Sequence, residues 1–316
     1  MKKKLFYLAS ICIGLTFAAC SSDDGGSNPP PPSLDNTLLT RINESITLNG
    51  LSDLGIPFEN IILSETGKAI IGPFDQGGNA SKLRRTEASS NPKYIVGTYT
   101  AKNNIYTVYK EKGINPYCII EVLSNTGTKA NVKVTLMSAT DIDATIFEGE
   151  VSVRQKVAAD EVTTVLCREW TVASTRLRHT NGVIAAKHFE NPEEAVSLNA
   201  ILDYAKSVAS IEEDFKENMT ITGIEFTSDG SFCIFFKNQE HYVGKWAWAD
   251  KSNGYISYVW EDEENMGNEF ENGNAVFAIT KFQQKNYYTL TLGSDIESGG
   301  DNYKVELTFF LNEKTE

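Results

Sequence analysis

The residues that most often carry enzyme chemistry stand here at spacings that do not favour catalysis. The three histidines, His179, His188 and His241, form neither an H-x-x-x-H nor an H-E-x-x-H pattern, so the sequence predicts no zinc site. The sequence also lacks a G-x-S-x-G nucleophile turn and the glycine-rich patterns that bind phosphate. We therefore expect no catalytic residues, no metal and no cofactor, and we expect that the protein is not an enzyme.

Clustered carboxylates suggest a second kind of chemistry, the binding of calcium. Residues Glu261 to Glu264 are all acidic and follow Trp260 in a predicted hairpin loop. Asp141 and Asp143 begin a D-x-D pattern, but the glycine and the terminal glutamate of a helix-loop calcium site are missing. Because a calcium site needs oxygens that converge from several directions, we favour a solvated acidic loop over a metal site.

Aromatic side chains give the stronger binding signal. Tyr242, Trp246 and Trp248 share one face of a predicted strand, and Tyr258 lies on the next strand along the chain. If that face points into a barrel, Trp246 and Trp248 would stack on a small apolar or glycan-derived ligand, and Tyr258 would supply a hydroxyl group. The alternative is a barrel filled by its own side chains, since an eight-stranded barrel is only just wide enough for a small ligand.

The elements that would position these residues are strands. Alternating apolar and polar residues, interrupted by short turn signals, predict eight strands in the C-terminal half: residues 170–177, Thr220–Thr227, Ser231–Lys237, Tyr242–Ala249, Gly254–Trp260, Asn274–Thr280, Asn286–Leu292 and Tyr303–Leu311. Short loops favour antiparallel neighbours, and eight strands can close into a barrel without free edges. One helix is predicted at about residues 197–210, after a helix-start signal at Asn191. The predicted fold class is therefore all-β with few short helices.

This half of the chain resembles the lipocalin-like domains of the calycin group. A short turn at Leu166 and Cys167 comes first, Trp170 opens the first strand, and an up-and-down meander follows, over about residues 161–316 in all. Arg168 stands where that group has a glycine, and the predicted helix lies between the first two strands, which is not its usual place. The resemblance implies an eight-stranded barrel with a ligand site inside it or at its mouth.

The N-terminal half repeats part of this pattern. Three segments correspond in order and spacing: Ile61–Gly67 with Ile224–Gly230, Val96–Tyr99 with Val243–Trp246, and Ile105–Val108 with Tyr255–Tyr258. A helix-like stretch with Leu38, Leu39, Ile42 and Ile46 precedes the first set. The sequence thus predicts two antiparallel β-domains in tandem, residues 35–160 and 161–316, which are either related to each other or two unrelated β-domains.

The N-terminus predicts where the protein resides. Lys2 to Lys4 precede the apolar run Leu5–Phe17, two alanines and then Cys20. This resembles the lipobox of bacterial lipoproteins, apart from Phe17 in place of a smaller aliphatic residue. It implies a signal peptide at residues 1–19 and a lipid anchor on Cys20, the alternative being an ordinary secretory signal. Residues 20–34 would form the acylated cysteine and a flexible Ser/Asp/Gly/Pro tether.

The residues after Cys20 refine this location. The run Ser21–Asp24 resembles the signal that places lipoproteins of some Gram-negative anaerobes on the outer face of the outer membrane. We therefore expect a lipid-anchored protein of the outer membrane that faces the cell surface. The net charge of −13 argues against nucleic acid and against electrostatic binding to anionic lipid, so the acylated Cys20 would be the membrane contact.

The cysteines do not point to redox chemistry. Cys118, Cys167 and Cys233 lie in apolar runs without C-x-x-C spacing, so we expect free buried thiols, with one disulfide as the alternative. Taken together, the sequence predicts non-catalytic binding of a small apolar or glycan-derived ligand by the C-terminal barrel. The alternative is a filled barrel that serves as a protein–protein interaction module of a surface complex.

Overall fold

The protein consists of two antiparallel β-barrels in tandem. The structure, a computed structural model, describes residues 45–74, 94–110, 115–137, 144–157, 160–180, 184–190, 196–197, 200, 203–204, 207, 220–237, 241–260, 273–282, 285–298 and 301–313. Within these residues it has two eight-stranded barrels and the short α-helix Glu161–Leu166, and residues 200, 203, 204 and 207 are also helical. The predicted all-β fold class, with two tandem meanders of which the second is an eight-stranded barrel, is confirmed.

The first barrel, barrel 1, is closed. Its strands are β1 (Ile46–Asn49), β2 (Phe58–Leu63), β3 (Lys68–Phe74), β4 (Ile95–Lys102), β5 (Ile105–Lys110), β6 (Pro116–Asn125), β7 (Lys129–Met137) and β8 (Ala144–Val153). A 3₁₀ turn, Ser52–Leu54, lies between β1 and β2. Each strand pairs with the next, and β8 returns to β1, where Leu48 lies opposite Val153. Closure removes the free edges that an open meander of these strands would have.

The second barrel, barrel 2, is formed by longer strands. They are β9 (Glu169–Thr180), β10 (Ile184–Glu190), β11 (Val196–Ser197), β12 (Thr220–Phe226), β13 (Ser231–Phe236), β14 (His241–Asp250), β15 (Tyr255–Trp260), β16 (Gly273–Phe282), β17 (Lys285–Ser298) and β18 (Asp301–Glu313). The wall consists of β9 and β12 to β18, and it closes where Ile224 lies opposite Trp170. These eight strands are the eight predicted ones. Two further strands extend the sheet, because β10 pairs with β9 and β11 pairs with β12.

A short helix closes one end of barrel 2. This helix, α1 (Glu161–Leu166), is capped by the Asp160 side chain and leads directly into β9. The Trp170 indole N–H donates to the Leu166 carbonyl at 3.0 Å. Lys251, in the 3₁₀ turn Lys251–Asn253 that follows β14, forms an ion pair with Asp160 at 2.6 Å. We refer to this end of barrel 2 as the capped end and to the opposite end as the distal end.

One helical prediction is wrong. Ile46 was expected in a helix-like stretch, but it begins β1 and lies opposite Leu63 of β2, a place that suits a β-branched side chain. Leu38, Leu39 and Ile42 lie outside the described residues, as do the predicted signal peptide, Cys20 and the tether. Of the helix predicted at residues 197–210, the structure describes five residues: residues 200, 203, 204 and 207 are helical, as predicted, and residue 197 belongs to β11.

The hairpin turns confirm the internal repeat. In barrel 1 the Ser64 N–H donates to the Lys68 carbonyl, and in barrel 2 the Thr227 N–H donates to the Ser231 carbonyl in the same way. Each turn ends at a glycine, with φ angles of 83° and 80°, which lie in the left-handed region that glycine adopts without strain. The two turns are therefore the same structure at corresponding places.

The strands after these turns correspond as well. The Tyr99 hydroxyl donates to the Ser64 carbonyl at 2.7 Å, and the Trp246 indole N–H donates to the Thr227 carbonyl at 3.0 Å. Tyr99 lies opposite Val108 in barrel 1, and Trp246 lies opposite Tyr258 in barrel 2. The correspondence that the sequence predicted thus holds through three strands of each barrel.

The two barrels have separate cores of different composition. The core of barrel 1 is mainly aliphatic and includes Leu48, Ile61, Leu63, Ile71, Val108, Ile120, Val132 and Val134. The core of barrel 2 is rich in aromatic residues and includes Trp170, Phe226, Phe232, Phe236, Trp246, Tyr258, Phe277 and Phe309. The same architecture is thus filled in two different ways.

A third cluster joins the barrels along what we call the seam, the contact between the outer faces of β1–β4 in barrel 1 and of β9 and β12–β14 in barrel 2, with the turns between them. Its buried apolar residues are Ile62, Ile70 and Tyr94 from barrel 1 and Cys233, Phe235 and Val243 from barrel 2. The barrels therefore share a buried surface rather than only a linker.

Candidate functional site

The interior of barrel 2 contains the predicted site residues. Alternate residues of a strand point to opposite faces, and on β14 Trp246 belongs to the core, with Tyr242 and Trp248 packed against that core. Val243, between them, points outward into the seam. The face of Tyr242–Ala249 that the sequence analysis singled out is therefore the inward face.

The two predicted stacking residues lie at the capped end. Trp246 is 4% exposed, and its indole N–H donates to the Thr227 carbonyl. The indole N–H of Trp248 donates to the Thr163 hydroxyl of α1 at 2.9 Å. The two rings meet edge to face, with centroids 5.6 Å apart. Both side chains thus already have contacts within the protein.

Further aromatic rings complete this floor. Trp170 lies against Phe277 and Tyr288, with centroid distances of 5.9 Å and 5.2 Å. Phe277 and Tyr288 stack in parallel, 5.7 Å apart and inclined by 2°. The capped end is therefore an aromatic floor beneath the barrel, supported from outside by α1.

Tyr258 lies above the floor. Its side chain is 6% exposed, and its ring meets that of Phe232 edge to face at 5.6 Å. Tyr258 is the neighbour of Trp246 across the β14–β15 ladder, so the structure brings these two predicted residues together. Trp248 joins them through its ring contact with Trp246.

Three inward side chains above the floor are partly exposed, although others, such as Phe236 and Leu307, are buried. Ile234, Tyr242 and Leu292 all pack against the core of barrel 2, yet each remains partly exposed. Ile234 lies opposite Tyr242 in the β13–β14 ladder, and the Tyr242 ring contacts that of Phe236 with centroids 5.0 Å apart. The interior is thus accessible above the floor, on the side of β13 and β14 and at β17.

A matched pair of isoleucines makes this accessibility clear. Ile71 of barrel 1 lies opposite Ile61, and Ile234 of barrel 2 lies opposite Ile224, so the two residues are equivalent in the repeat. Ile71 is 0% exposed, whereas Ile234 is partly exposed. The same residue type at the same place is sealed in one barrel and accessible in the other.

One polar group also faces this interior. Thr175 lies opposite the core residue Phe309 and two places before the core residue Leu177, so it shares their inward face. Its hydroxyl is fully buried, with no hydrogen-bond partner among the residues that the structure describes. A buried hydroxyl without a partner is unfavourable, so a ligand atom that accepted a hydrogen bond from it would be stabilised.

Sequence reasoning missed three of these residues. Ile234, Leu292 and Thr175 carry no chemical signal in the sequence, because strand alternation identifies the inward face but not the height of a residue within the barrel. Tyr242 was placed on the correct face without a role. Comparing the exposed fractions of equivalent residues in the two barrels shows which inward residues of barrel 2 lie next to the accessible interior.

Of the histidines and clustered acids singled out in the sequence analysis, the structure describes the side chain of His241 alone. His241 lies at the seam, 5.7 Å from the Phe235 ring, and burial with the nearby Lys68 charge lowers its pKa to about 4. The side chains of His179 and His188, the acidic run at residues 261–264, and Asp141 and Asp143 lie outside the described residues.

The described cysteines and acids support neither a disulfide nor a metal centre. Cys118, Cys167 and Cys233 are free and buried, and burial raises the pKa of the Cys118 thiol to about 12. The described part of the chain contains no group of three or more His, Cys, Asp or Glu side chains that could hold a metal ion. Among the described helices, none has the length and apolar character needed to cross a membrane.

Comparison with known proteins gives no family. The chain matches no protein-family model, and no curated protein matches it in sequence.

Proposed function

We propose that this protein is a lipoprotein of the bacterial outer membrane, anchored through an acylated Cys20 and facing the cell surface, which binds a small apolar or glycan-derived ligand without catalysis. The ligand would occupy the distal part of barrel 2, a closed barrel that we regard as lipocalin-like. The observation that carries the proposal is the difference between the sealed Ile71 and the accessible Ile234.

The chemistry of the site favours a mostly apolar ligand. Ile234, Leu292 and the Tyr242 ring offer apolar surface. The buried Thr175 hydroxyl adds one polar group that could donate a hydrogen bond to the ligand. Small-molecule sites commonly combine apolar walls with a few polar groups that fix orientation. An aromatic ring such as that of Tyr242 also suits the apolar face of a sugar.

The predicted tryptophans take a different part in this proposal. Trp246 and Trp248 would form the floor under the ligand, because their indole N–H groups and rings are engaged within the protein. Tyr258 lies between the floor and the accessible region and would still supply its hydroxyl to the ligand. Tyr242 would provide the stacking surface that the sequence analysis assigned to the tryptophans.

Native mass spectrometry can test this proposal. The mature chain, residues 20–316 with Cys20→Ser to prevent acylation, would be incubated with a mixed extract of lipids and oligosaccharides. We expect a retained adduct of defined mass that is lost in Tyr242→Ala. The matched control is Ile95→Ala, at the equivalent position opposite Ile71 in barrel 1, which should retain the adduct. An unliganded spectrum from folded protein would contradict the proposal.

The lipid anchor requires its own test. Cells that express the full chain would be grown with an alkyne-bearing fatty acid, and label on the protein would be compared with that on Cys20→Ser. We expect label only on the unsubstituted protein, which should also be accessible to protease on intact cells. Equal labelling of the two proteins would remove the anchor from the proposal.

A second candidate function is an interaction module of a surface complex. The large apolar side chains that are exposed in the described residues are Ile105 at 38%, Leu123 at 49% and Ile146 at 58%, and all three lie on barrel 1. Ile146 lies opposite Thr135, which in turn lies opposite Ile119, so an uncharged row crosses β6 to β8 on the outer face. Such a surface suits a partner protein more than water.

Site-specific crosslinking separates this candidate from ligand binding. A photoreactive residue at Ile146 should capture a discrete partner on cells, whereas one at the exposed Ala247 of barrel 2 should not. Equal capture at both positions would indicate random collisions and would exclude a specific surface on barrel 1.

A further inference from the structure

The seam joins two equivalent surfaces. Lys68 and Ser231 are equivalent, because each is the first residue after the repeated turn. Thr47 and Glu169 are equivalent, because Thr47 lies opposite Ile62 and Glu169 lies opposite Glu225. Each barrel therefore presents the same part of its wall to the other.

The contacts across the seam are reciprocal. Thr47 of barrel 1 lies 3.3 Å from Ser231 of barrel 2 between hydroxyl oxygens, and Lys68 of barrel 1 forms an ion pair with Glu169 of barrel 2 at 2.6 Å. Because Thr47 is equivalent to Glu169 and Ser231 to Lys68, each of these contacts turns into the other when barrel 1 and barrel 2 trade places. The two-fold relation of a symmetric dimer has this property, and the seam thus resembles a dimer interface within one chain.

One pair of equivalent residues is in direct contact across the seam. Glu65 and Ser228 are the second residues of the two repeated turns, and the Ser228 N–H donates to the Glu65 carboxylate at 2.8 Å. Two equivalent residues touch in this way only when they lie near the axis of an approximate two-fold rotation. Ile70 and Cys233, also equivalent, both belong to the buried cluster of the seam.

The charges in the seam break this symmetry. Lys68 is the cation of the ion cluster; its ammonium lies 2.6 Å from Glu169, 3.9 Å from Glu225 and 3.6 Å from the centre of the Phe235 ring. A second cation from the barrel 1 side, Arg154, donates a hydrogen bond to the Ser231 hydroxyl. Glu225 is 0% exposed and also accepts a hydrogen bond from Thr66 at 2.5 Å. Burial raises the pKa of Glu225, and the Lys68 charge opposes that rise. Both acids belong to barrel 2 and their cation to barrel 1.

A pair of identical barrels would not satisfy these charges. If barrel 1 packed on a second barrel 1, Lys68 would meet Thr47 and Ile62, the equivalents of the two acids, and its half-buried charge would lose both of its present carboxylate partners. If barrel 2 packed on a second barrel 2, Glu169 and Glu225 would meet Ser231 in place of Lys68. An unpaired charge in a buried interface is strongly unfavourable.

A second contact disfavours the pairing of barrel 2 with itself. Asp229 of barrel 2 accepts a hydrogen bond from Thr47 of barrel 1. Because Glu169 is the equivalent of Thr47, two copies of barrel 2 would place the Glu169 and Asp229 carboxylates together. Interfaces that choose one partner over another commonly combine attraction in the right pair with repulsion in the wrong one.

We propose that the seam is a selective docking surface, on which barrel 1 pairs with barrel 2 and neither barrel pairs with a second copy of itself. We propose that Lys68 determines this choice of partner. The surface is an approximately symmetric dimer interface whose charges have been divided between its two sides. Shape and apolar contacts bring the faces together, and the ion cluster selects the partner.

The test separates the barrels covalently after folding. A protease recognition sequence would be inserted between Ala158 and Ala159 of the full chain, and the purified protein would be cut and diluted. Light scattering and native mass spectrometry would then report which barrels associate. We expect the cut protein to remain a one-to-one pair of barrel 1 and barrel 2, without pairs of identical barrels.

Substitution of Lys68 should weaken this pair selectively. In Lys68→Met the dissociation constant of the cut pair should rise about 100-fold or more, because two buried acids lose their cation. Lys129→Met, which removes an exposed ion pair with Glu150 elsewhere on barrel 1, should leave it unchanged. If Lys68→Met does not fold, the neutral triple variant with Glu169→Gln and Glu225→Gln replaces it. This triple variant should restore association and allow identical barrels to pair.

Three results would overturn the inference. They are pairs of identical barrels from the unsubstituted cut protein, an unchanged dissociation constant in Lys68→Met, and a triple variant that still forms only the mixed pair. In each case the charges would not determine the choice of partner.

Discussion

Barrel 1 and barrel 2 share strand order, turn structure and register, yet their interiors differ. At the equivalent positions opposite Tyr99 and Trp246, barrel 1 has Val108 and barrel 2 has Tyr258. Larger side chains would be expected to seal barrel 2 more completely. Instead, its Ile234 remains accessible, although its core contains many aromatic rings. Side-chain size therefore does not determine whether a barrel is filled.

The distribution of the rings along the barrel explains the difference. The aromatic residues of barrel 2 concentrate at the capped end, where Trp170 and Trp248 contact α1. The wall continues well beyond them, since β17 has 14 residues and β18 has 13, whereas the longest strands of barrel 1 have 10. Barrel 2 thus has a firm floor and a wall that is taller on the side of β17 and β18, whereas β13 and β15 have six residues each.

Truncation of a tryptophan side chain in the floor should have the largest effect on stability, and it distinguishes the floor from the wall. Trp246→Ala should lower the free energy of unfolding by about 3–5 kcal/mol, because it leaves a cavity in packed core and removes a buried hydrogen bond. Tyr242→Ala should lower it by no more than about 2 kcal/mol, since the ring is already partly exposed. Urea denaturation measures both. Equal losses would mean that Tyr242 is as much a core residue as Trp246.

The seam offers the next largest effect. Lys68→Met should lower the free energy of unfolding by about 3 kcal/mol, because the buried carboxylate of Glu225 loses its cation. Lys129→Met should change it by less than about 0.5 kcal/mol, since its partner Glu150 is exposed like itself. Denaturant unfolding of the uncut chain provides the comparison. A small loss in Lys68→Met would show that the two barrels are joined mainly by apolar contacts.

The matched isoleucines provide the sharpest contrast at moderate cost. Ile71→Phe should destabilise the protein by about 1–3 kcal/mol, because barrel 1 has no room for a larger side chain. Ile234→Phe should cost less than about 1 kcal/mol, because the new ring would occupy the accessible interior of barrel 2. The same denaturation experiment applies. Similar costs at the two positions would remove the distinction between a sealed and an accessible barrel.

The last expected effect concerns pH. The pKa of His241 is lowered to about 4 in the folded protein and returns to about 6.5 on unfolding, so His241 makes the protein less stable as the pH falls from about 6.5 towards 4. The raised pKa of Glu225 acts in the opposite direction and is common to both proteins compared. His241→Gln should therefore reduce the loss of stability between pH 7.5 and pH 5 by about 2 kcal/mol. An identical pH profile would exclude His241 as the source of that loss.

Strand alternation and turn residues made much of the fold predictable. The segment predicted as Ser231–Lys237 is the strand Ser231–Phe236, and the repeated Val-Gly motif located equivalent strands. The glycines have a physical reason. A Cβ atom on Gly97 would lie 2.0 Å from the Tyr109 carbonyl oxygen, and one on Gly244 would lie 2.2 Å from the Phe232 ring. Close approach of neighbouring strands therefore keeps this signal in the sequence.

The site was less predictable because the alternation of apolar and polar residues shows which face of a strand points inward, but not how far along the barrel axis a residue lies. Trp246, Trp248 and Tyr242 share one face, and only the position of α1 shows that the first two lie in the floor. The seam was not predictable at all. Glu225 alternates with apolar neighbours as a solvent-facing residue would, and its burial depends on Lys68, more than 150 positions away in the chain. Packing between distant segments decides both cases.

The sharpest difference between the barrels is that the interior of barrel 2 is accessible at Ile234, whereas barrel 1 is closed at the equivalent Ile71. Xenon, which enters apolar cavities, tests this most directly through the ¹²⁹Xe chemical shift in solutions of the protein. We expect a saturable shift that is lost in Ile234→Phe and retained in Ile71→Phe. No saturable shift in the unsubstituted protein, or one that survives Ile234→Phe, would contradict this expectation.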